Sequence, residues 1–315
     1  MQIIDFTKEW LPQAEALALE NYREERAAVP ELPENPALPP LEHFAENGMG
    51  AAAIENGRLL GFLGGFLPFG PVFCTPDTMG TWSPLHAHTV QKENRVKIWQ
   101  RLYQAAAEKW AKAGTASHAV TLYAHDIDAQ KALFLYGFGA RCADLIRPLT
   151  DLHSPVQSNI RFGELPAERS VQLRPLRRAL ADHLGKSPSF MLHTEDAMDA
   201  YLDRKEKQAS RMFVAFDGDA PIAYMEFENK GESFISWTPG TANICGAYCL
   251  PEYRGTGTVQ ALLDHMIRTI RQEGYIRLGM DCETFNPTAI NFWGKHFTQY
   301  TTSVVRRIDE NSVFH

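Results

Sequence analysis

The sequence predicts an α/β protein with mixed sheets, built from two copies of one unit. The segment from Thr258 to Glu273 has helical periodicity and is closed by Gly274, and a second such helix is closed by Gly114, 160 positions earlier. The same offset superposes Leu102 on Leu262, Asp126 on Asn286 and Ala129 on Ala289. A β-rich run and a short helix follow each long helix, so we expect a duplicated unit.

Local patterns predict the elements of the first half. Asn-Gly favours the tight turns of hairpins, and Glu55-Asn-Gly57 therefore marks a turn between two strands. In order, this half is expected to contain a strand at 1–6, a helix at 10–26, a proline-rich loop at 28–40, a hairpin at 51–67, the helix ending at Gly114, a strand at 119–125 and a short helix before Phe138.

The second half repeats this order. Proline, serine and asparagine crowd into 148–160, which we interpret as the linker between domains 1–150 and 151–315. Its expected elements are a strand at 160–165, a helix at 167–184 disturbed by Pro175, a helix at 194–210, a hairpin at 211–228, the helix ending at Gly274, a strand at 277–283 and a short helix before Phe297. We interpret each half as a copy of the order β-α-α-β-β-β-α-β-α-β, of which these elements are the clearest part.

Composition narrows the class of protein. The chain has 315 residues, 44% of them apolar, and a net charge of −7, which argues against a nucleic-acid-binding protein. The five cysteines (74, 142, 245, 249 and 282) are few, odd in number and without C-x-x-C spacing, as in proteins of a reducing compartment. Neither a signal peptide nor a membrane-spanning run is evident. We expect a cytoplasmic, soluble protein without a membrane partner.

One segment indicates an anion site. A short apolar run ends at Pro251, the turn Arg254-Gly-Thr-Gly257 follows, and then the long helix begins. The first N–H groups of a helix lack intrahelical acceptors, and the helix dipole adds partial positive charge there. Glycines at 255 and 257 let the backbone approach a phosphate closely. The order strand, glycine loop and helix therefore favours phosphate binding.

Together with its surroundings, this segment resembles the GNAT superfamily of acyl-CoA-dependent N-acyltransferases. The family's phosphate loop, Q/R-x-x-G-x-G/A, is matched by Arg254, Gly255, Thr256, Gly257, Thr258 and Val259, after the lead-in Pro251-Glu252-Tyr253. Its downstream N-x-x-A-x-x-φ-aromatic pattern is matched by Asn286, Ala289, Phe292 and Trp293. The resemblance covers the second half well and the first in outline. It implies two tandem GNAT-like acyltransferase domains, of which the first is degenerate.

The resemblance also implies roles for the matched residues. Backbone N–H groups from Arg254 to Val259 would hold the pyrophosphate of acetyl-CoA, the expected co-substrate. Backbone groups of Cys249 and Leu250 would pair with the pantetheine arm like an added strand, and the Leu250 N–H would polarise the thioester carbonyl. Asn286 would hydrogen-bond the pantetheine, and Trp293 would lie along it. No metal is expected.

Two residues depart from the family pattern in the second half. Val259 stands where the family has Gly or Ala, so its side chain must point away from the pyrophosphate. Trp293 stands where many members carry a tyrosine that protonates the departing thiolate, a role that an indole N–H does not fill. Tyr248, Tyr253 and Tyr300 are the alternatives, although a thiol with a pKa of about 8.5 already leaves fairly well.

The first half departs further from the pattern. At the offset of 160 the loop becomes 94–98, Asn-Arg-Val-Lys-Ile, which contains no glycine. Asn286 becomes Asp126, whose negative charge opposes a polyanionic cofactor. We hypothesise that this half has lost acyl-CoA binding and that one CoA binds per chain.

Direct transfer to an amine requires a base, because an amine with a pKa of about 10 is protonated at neutral pH. Glu226 and Glu228 share one strand face, and Asp281 and Glu283 share another. We predict Glu226 as the base, against the alternative that each is a solvated strand carboxylate. Cys249 on an apolar strand is interpreted as a core residue without an acyl-cysteine role.

His86-x-His88 and His125 suggest a metal site only weakly. Metal-binding histidines need further ligands at suitable spacing, and no Cys or carboxylate stands at such a spacing from these three. We therefore interpret His86 and His88 as an exposed pair.

The expected function is transfer of acetyl from acetyl-CoA to the amine of a small molecule or peptide. Two alternatives remain open on the same fold. One is a non-catalytic acyl-CoA-binding sensor, suggested by Trp293 and Val259. The other is a transferase of amino-acid or longer acyl groups.

Overall fold

The structure is a computed structural model that describes residues 1–72, 78–154, 159–207, 210–309 and 311. The chain forms two compact units. The first contains Met1–Leu145, Ser233–Ile235 and Cys282–His315, and the second contains Ile146–Glu232 and Ser236–Asp281. Residues 155–158 of the expected linker lie outside the described residues. Among the described helices, none is both long and apolar enough to cross a bilayer.

The first unit is built on a small antiparallel sheet. Strands β1 (Gln2–Asp5), β2 (Ala51–Glu55), β3 (Arg58–Leu63) and β5 (His88–Val90) pair in that order. Asn56 and Gly57 form the hairpin turn with φ of 51° and 75°, as the Asn-Gly pair predicts. The helices of this unit are α1 (Leu11–Ala28), α2 (Glu42–Glu46), α3 (Arg95–Lys112), α4 (Ile127–Phe134) and, from the C-terminal segment, α8 (Pro287–Trp293).

Alternation along β2 divides the core of this unit. Ala51 and Ala53 pack with the apolar face of α3, which includes Trp99 and Trp110. Ala52 packs in a second cluster that includes Ala14 of α1 and residues around α2. Successive side chains of a strand point to opposite faces, so one strand serves both layers.

The C-terminal strand completes a second sheet in the first unit. Strand β4 (Gly80–Ser83) pairs in parallel with β6 (Ser117–Tyr123), whose other edge pairs with β14 (Thr301–Arg307). Strand β14 in turn pairs with β7 (Gly139–Pro148), which also pairs with the short β13 (Thr298–Gln299). The compact units therefore differ from the sequence halves. The segment from Cys282 onward joins the first unit because its last strand pairs there.

The second unit carries the remaining strands. These are β8 (Ile160–Leu165), β9 (Arg211–Asp217), β10 (Ala220–Glu228), β11 (Thr241–Cys249) and β12 (Arg277–Glu283). Neighbours from β8 to β11 are antiparallel, and β11 and β12 are parallel. Helix α7 (Thr258–Gln272) packs on β9 and β10, and α5 (Arg174–Leu184) contacts β10 and β11.

Pro175 acts as a helix start in this unit. The expected single helix over 167–184 is a 3₁₀ segment, Ala167–Leu173, followed by α5 with the proline in its first turn. A proline is tolerated there because first-turn N–H groups have no intrahelical acceptor. Helix α6 (Glu195–Lys207) follows, as the sequence predicts.

Candidate functional site

Strand β11 extends past its parallel neighbour. Its ladder with β12 pairs Thr241–Ile244 with Arg277–Met280, whereas its ladder with β10 continues to Cys249. The register against β10 shifts between Glu226 and Phe227, which leaves Cys245 as the extra residue of a β-bulge. A bulge bends and twists the strand that carries it. The end of β11 therefore has the geometry that admits an extended ligand as an added strand.

The Leu250 amide does not face this ligand edge. Its N–H donates to the carbonyl of Ile222 in β10 at 3.0 Å, and its carbonyl accepts from the Tyr253 N–H at 3.0 Å. Backbone groups alternate in direction along an antiparallel strand, so the amides of Cys249 and Ala247 face the opposite edge. The sequence expectation for Leu250 is thereby corrected: its backbone is used inside the protein.

The glycine loop has the shape of an anion cradle. Gly255 and Gly257 have φ of 76° and 89°, and Gly257 is the N-cap of α7 without any side-chain cap. Thr256 donates through its hydroxyl to the Tyr253 carbonyl at 2.7 Å, which ties the loop to the preceding turn. The first amides of α7, including that of Val259, point back toward the loop because of helix geometry. The Val259 side chain itself is half-buried.

Arg254 links the loop to β11. Its Nε donates to the Cys249 carbonyl at 3.0 Å, and its guanidinium carbon lies 5.2 Å from the centre of the Tyr248 ring. The arginine therefore stiffens the corner through its side chain, a role that the loop motif by itself does not reveal. Nearby, the Tyr253 hydroxyl donates to Asp217 at 2.7 Å, and this hydrogen bond raises the tyrosine pKa.

Glu226 is buried in a charged cluster. Its side chain is 2% exposed, and Oε1 lies 3.1 Å from Lys205 Nζ and 3.8 Å from Arg177 Nη2. Burial disfavours the Lys205 ammonium, but the charge and hydrogen bond of Glu226, together with Cys245 and Tyr201, outweigh this effect and raise the lysine pKa. Glu226 is in register with Gly246 of β11, beside the bulge. The carboxylate predicted as base thus lies next to the strand end that extends past β12, and it is not a solvated strand residue.

The thiols of this unit are poor nucleophiles. Burial raises the pKa of Cys249 to about 11, and burial together with Glu226 raises that of Cys245 further. These shifts agree with the interpretation of Cys249 as a core residue.

Asn286 and Trp293 lie in the first unit. The Asn286 side-chain oxygen accepts from the Ala289 N–H at 3.4 Å and from the Thr288 hydroxyl at 2.7 Å, so it caps α8. Trp293 is 5% exposed and makes edge contacts with Phe292 and Phe297. Both side chains have a structural role of their own within this unit, and their expected contacts with pantetheine stay a prediction.

The equivalent of the glycine loop in the first half is helical. Subtracting the offset of 160 from Thr258, the first residue of α7, gives position 98, but α3 already begins three residues earlier, at Arg95. Arg95 is nearly buried and pairs with Glu24 at 2.8 Å and with Asp126 at 3.3 Å. A turn of helix and an internal cation therefore occupy the positions that form the anion cradle in the second half.

The expectation of an exposed histidine pair is wrong. His88 is 6% exposed, and its Nε2 lies 2.7 Å from the Thr121 carbonyl, while His86 packs against Phe44 and Phe234. Burial lowers the pKa of each to about 4. His125 instead pairs through Nδ1 with Glu25 at 2.8 Å. The alternation of side chains along a strand predicts which residues share a face. It does not predict whether other parts of the protein pack against that face.

The comparison with family models identifies the glycine-loop region. The model described as the acetyltransferase (GNAT) family matches residues 178–297, from α5 through the loop to the end of α8. Residues 178–297 are therefore similar to the GNAT family. The GNAT segment contains the glycine loop, Glu226 and the Asn286 motif, as the sequence resemblance implied. No curated protein sequence matches the chain significantly.

Two solved structures with TM-scores of 0.55 and 0.52 agree on the fold, and a third is reported beside them. A GCN5-related N-acetyltransferase from Sphaerobacter thermophilus is 12% identical with a TM-score of 0.55, over 94% of this chain and 93% of that one. A GCN5-related glucosamine N-acetyltransferase region of a fungal multi-domain GH3 β-N-acetylglucosaminidase is 14% identical with a TM-score of 0.52, over 96% and 38%. A tandem GNAT protein from the clavulanic acid biosynthesis pathway is 12% identical with a TM-score of 0.44, over 97% and 98%. The predicted fold class, α/β with mixed sheets in tandem GNAT-like domains, is confirmed.

Proposed function

We propose that the chain is an acetyl-CoA-dependent N-acetyltransferase whose GNAT domain binds the donor. The observation that carries the proposal is the corner where the end of β11, extending past β12, meets the Gly255–Gly257 loop and the N-terminus of α7. An extended arm ending in a pyrophosphate matches this corner, because the strand end pairs with amides and the helix start attracts anions. Residues 151–315 are the proposed donor-binding copy, and 1–150 the degenerate one.

The donor is proposed to lie as follows. Backbone amides from Arg254 to Val259 hold the pyrophosphate, and the arm runs along the outward edge of Cys249 and Ala247. One of these two outward amides polarises the thioester carbonyl, in place of Leu250. Asn286 and Trp293 keep their proposed contacts with the pantetheine, on the strength of the family motif alone.

The proposed reaction is direct transfer. Glu226 takes a proton from the acceptor ammonium, the amine nitrogen attacks the thioester carbonyl, and a C–N bond forms as the C–S bond breaks. The second amine proton is lost as the amide forms, and the CoA thiolate takes up a proton. The products are the N-acetylated amine, free CoA and one released proton.

The alternative function is a non-catalytic acyl-CoA sensor. It is favoured by Trp293, which cannot protonate a thiolate, and by Tyr253, whose raised pKa makes it a weaker acid. Neither observation affects donor binding, so the two functions differ only in turnover.

One experiment separates these functions. Free CoA is measured with a thiol reagent after incubation with acetyl-CoA and a panel of amines, amino acids and peptides, and the panel is repeated with longer acyl-CoA donors. The transferase is expected to release CoA only when an acceptor is present, and the mass of the acceptor should rise by one acetyl group. Tight binding of acetyl-CoA in calorimetry without turnover on any acceptor would favour the sensor.

A further inference from the structure

A buried arginine on α5 has donors that the protein does not use. Arg177 is 1% exposed, and its Nε and Nη1 have no hydrogen-bond partner among the described residues. Its Nη2 lies 3.9 Å from Met212 Sδ and 3.8 Å from Glu226 Oε1, both weak contacts for a guanidinium. A buried donor left unsatisfied costs roughly 1–3 kcal/mol, more when it is charged. Such a group calls for an acceptor supplied by something other than this chain.

The neighbouring arginine on the same helix shows the contrast. Arg174 is half-exposed and donates to Asp199, Asp203 and Glu206 at distances from 2.9 to 3.2 Å. The carboxylates of α6 thus satisfy the exposed arginine and leave the buried one unsatisfied. Arg177 therefore differs from Arg174 in its surroundings and not in its residue type.

The cluster around Arg177 contains equal numbers of positive and negative side chains. Two cations, Arg177 and Lys205, face two carboxylates, Glu226 and Glu228, with Lys205 Nζ 3.8 Å from Glu228 Oε1. The acidic oxygens and the Cys245 sulfur lie within 4.8 Å of one another. The cluster is electrically balanced, so it matches a ligand that carries one positive and one negative group.

Gly246 leaves space beside this cluster. A Cβ built on Gly246 would lie 3.4 Å from Glu226 Oε2, which is ordinary van der Waals contact. Space for about one methyl-sized group therefore adjoins the carboxylate on the side of β11. An amine nitrogen in that space would be next to the strand along which the donor is proposed to lie.

We propose that the acceptor is a small zwitterion, an α-amino acid or a close analogue. Its ammonium is held by Glu226 and Glu228, and its carboxylate by Arg177 with the support of Lys205. A guanidinium binds a carboxylate through two parallel hydrogen bonds, from Nε with Nη2 or from Nη1 with Nη2. At Arg177 either pair combines an unused nitrogen with Nη2, whose contacts are weak. This assignment rests on the proposed transferase function and narrows its acceptor from amines in general to amines that carry a carboxylate.

The test compares acceptors that differ only in the carboxylate. The standard amino acids are assayed with acetyl-CoA beside the amine and the amide derived from each. We expect kcat/KM to be roughly 10- to 100-fold higher for the amino acid, the value of a charged hydrogen bond. Equal or better acetylation of the analogues that lack the carboxylate would overturn the zwitterion proposal and leave the transferase proposal intact.

Variants assign the effect to Arg177. Arg177→Gln is expected to raise KM for the amino acid at least about 10-fold more than for its amine. The control is Arg178→Gln, since Arg178 is the next residue, is exposed and pairs with Glu195 at the surface. If Arg177→Gln fails to fold, Arg177→Lys keeps the charge without the fork and is expected to weaken the preference to a smaller extent. An unchanged preference in a folded Arg177 variant would contradict the assignment.

Binding measured without turnover keeps the two proposals apart. Calorimetry of each amino acid with the full chain and non-reactive CoA is expected to show binding that Arg177→Gln weakens and Arg178→Gln does not. Such binding without any CoA release in the assay would refute the transferase and retain the zwitterion site. Absence of binding for all amino acids, with amines acetylated, would refute the zwitterion site alone.

Discussion

Gly255 and Gly257 hold the loop before α7 in the left-handed region, with φ of 76° and 89°. Glycine is required at position 255 because of this backbone conformation. Crowding is not the reason, since a Cβ at this position would meet no atom within 4 Å. An L-residue in this region costs roughly 1–2 kcal/mol. The sequence could indicate these positions because glycine is the residue that tolerates them.

Gly255→Ala tests the loop directly. The strain of about 1–2 kcal/mol is expected to weaken CoA binding about 10-fold, measured by calorimetry. Gly218→Ala is the matched control, because Gly218 has φ of 58° in the turn between β9 and β10 and also has open space around its Cβ position. Equal CoA affinity in both variants would show that the loop does not hold the donor.

Glu226→Gln tests the base. Removal of a general base is expected to lower kcat by about 10²- to 10⁴-fold and to change the pH–rate profile. Glu164→Gln on β8 is the control, since its side chain is more than one-third exposed and pairs with Arg211. If turnover and pH profile are unchanged in Glu226→Gln, the assignment is wrong.

His88 couples stability to pH. Its pKa is about 4 in the folded state and about 6.5 when unfolded, so between these values the unfolded state binds more protons. The free energy of unfolding therefore rises as the pH increases from 4 to 6.5. Above pH 6.5 the protonation of His88 no longer changes it. His88→Gln is expected to reduce the slope by up to about 1.4 kcal/mol per pH unit in urea titrations. His43 is exposed, so His43→Gln is the control. If the dependence of unfolding free energy on pH decreases equally in both variants, the coupling to His88 is contradicted.

At the scale of elements, the two long helices differ at their N-termini. Helix α7 begins after a glycine loop, whereas α3 begins three residues earlier in the repeat and carries Arg95 in its first turn. The ion pairs of Arg95 with Glu24 and Asp126 compensate the charge of a cation that would otherwise be available to an anion. The absence of glycine at 94–98 predicts a loss of acyl-CoA binding, and the structure shows that α3 already begins within this segment, at Arg95.

We therefore expect one CoA to bind per chain. Calorimetric titration of the full chain with CoA should give a stoichiometry near one. Gly255→Ala should weaken this single binding event and reveal no second binding event. Two equivalent binding events would contradict the interpretation of the first half as degenerate.

At the scale of the whole molecule, the first unit depends on the end of the chain. Strand β14 pairs with β6 along its whole length, from Thr301 with Tyr123 to Arg307 with Ser117. Val304 lies in the core of this unit, and the Thr121 and Ser303 hydroxyls are 2.9 Å apart. This pairing joins segments that are far apart in sequence, so no local sequence pattern predicts it.

A fragment of residues 1–150 is expected to be much less stable than the full chain. Without β14, strand β6 loses the partner along one edge, and its unpaired backbone groups cost free energy. Circular dichroism should show a low or non-cooperative thermal transition, and addition of a peptide covering 298–309 should raise it. A fragment that melts cooperatively at the temperature of the full chain would contradict this dependence.

The sequence by itself determined the repeat, the order of the elements and the glycine loop, because helical periodicity, turn residues and left-handed positions are local properties. Only the tertiary structure decided that Leu250 bonds to Ile222, that His88 is buried and that β14 completes the first unit. The same holds for Arg177, whose unused donors are apparent only once α5, β9 and β10 are packed. Partner choice across a sheet and burial of a side chain depend on residues far away in sequence, and a local pattern carries no information about them.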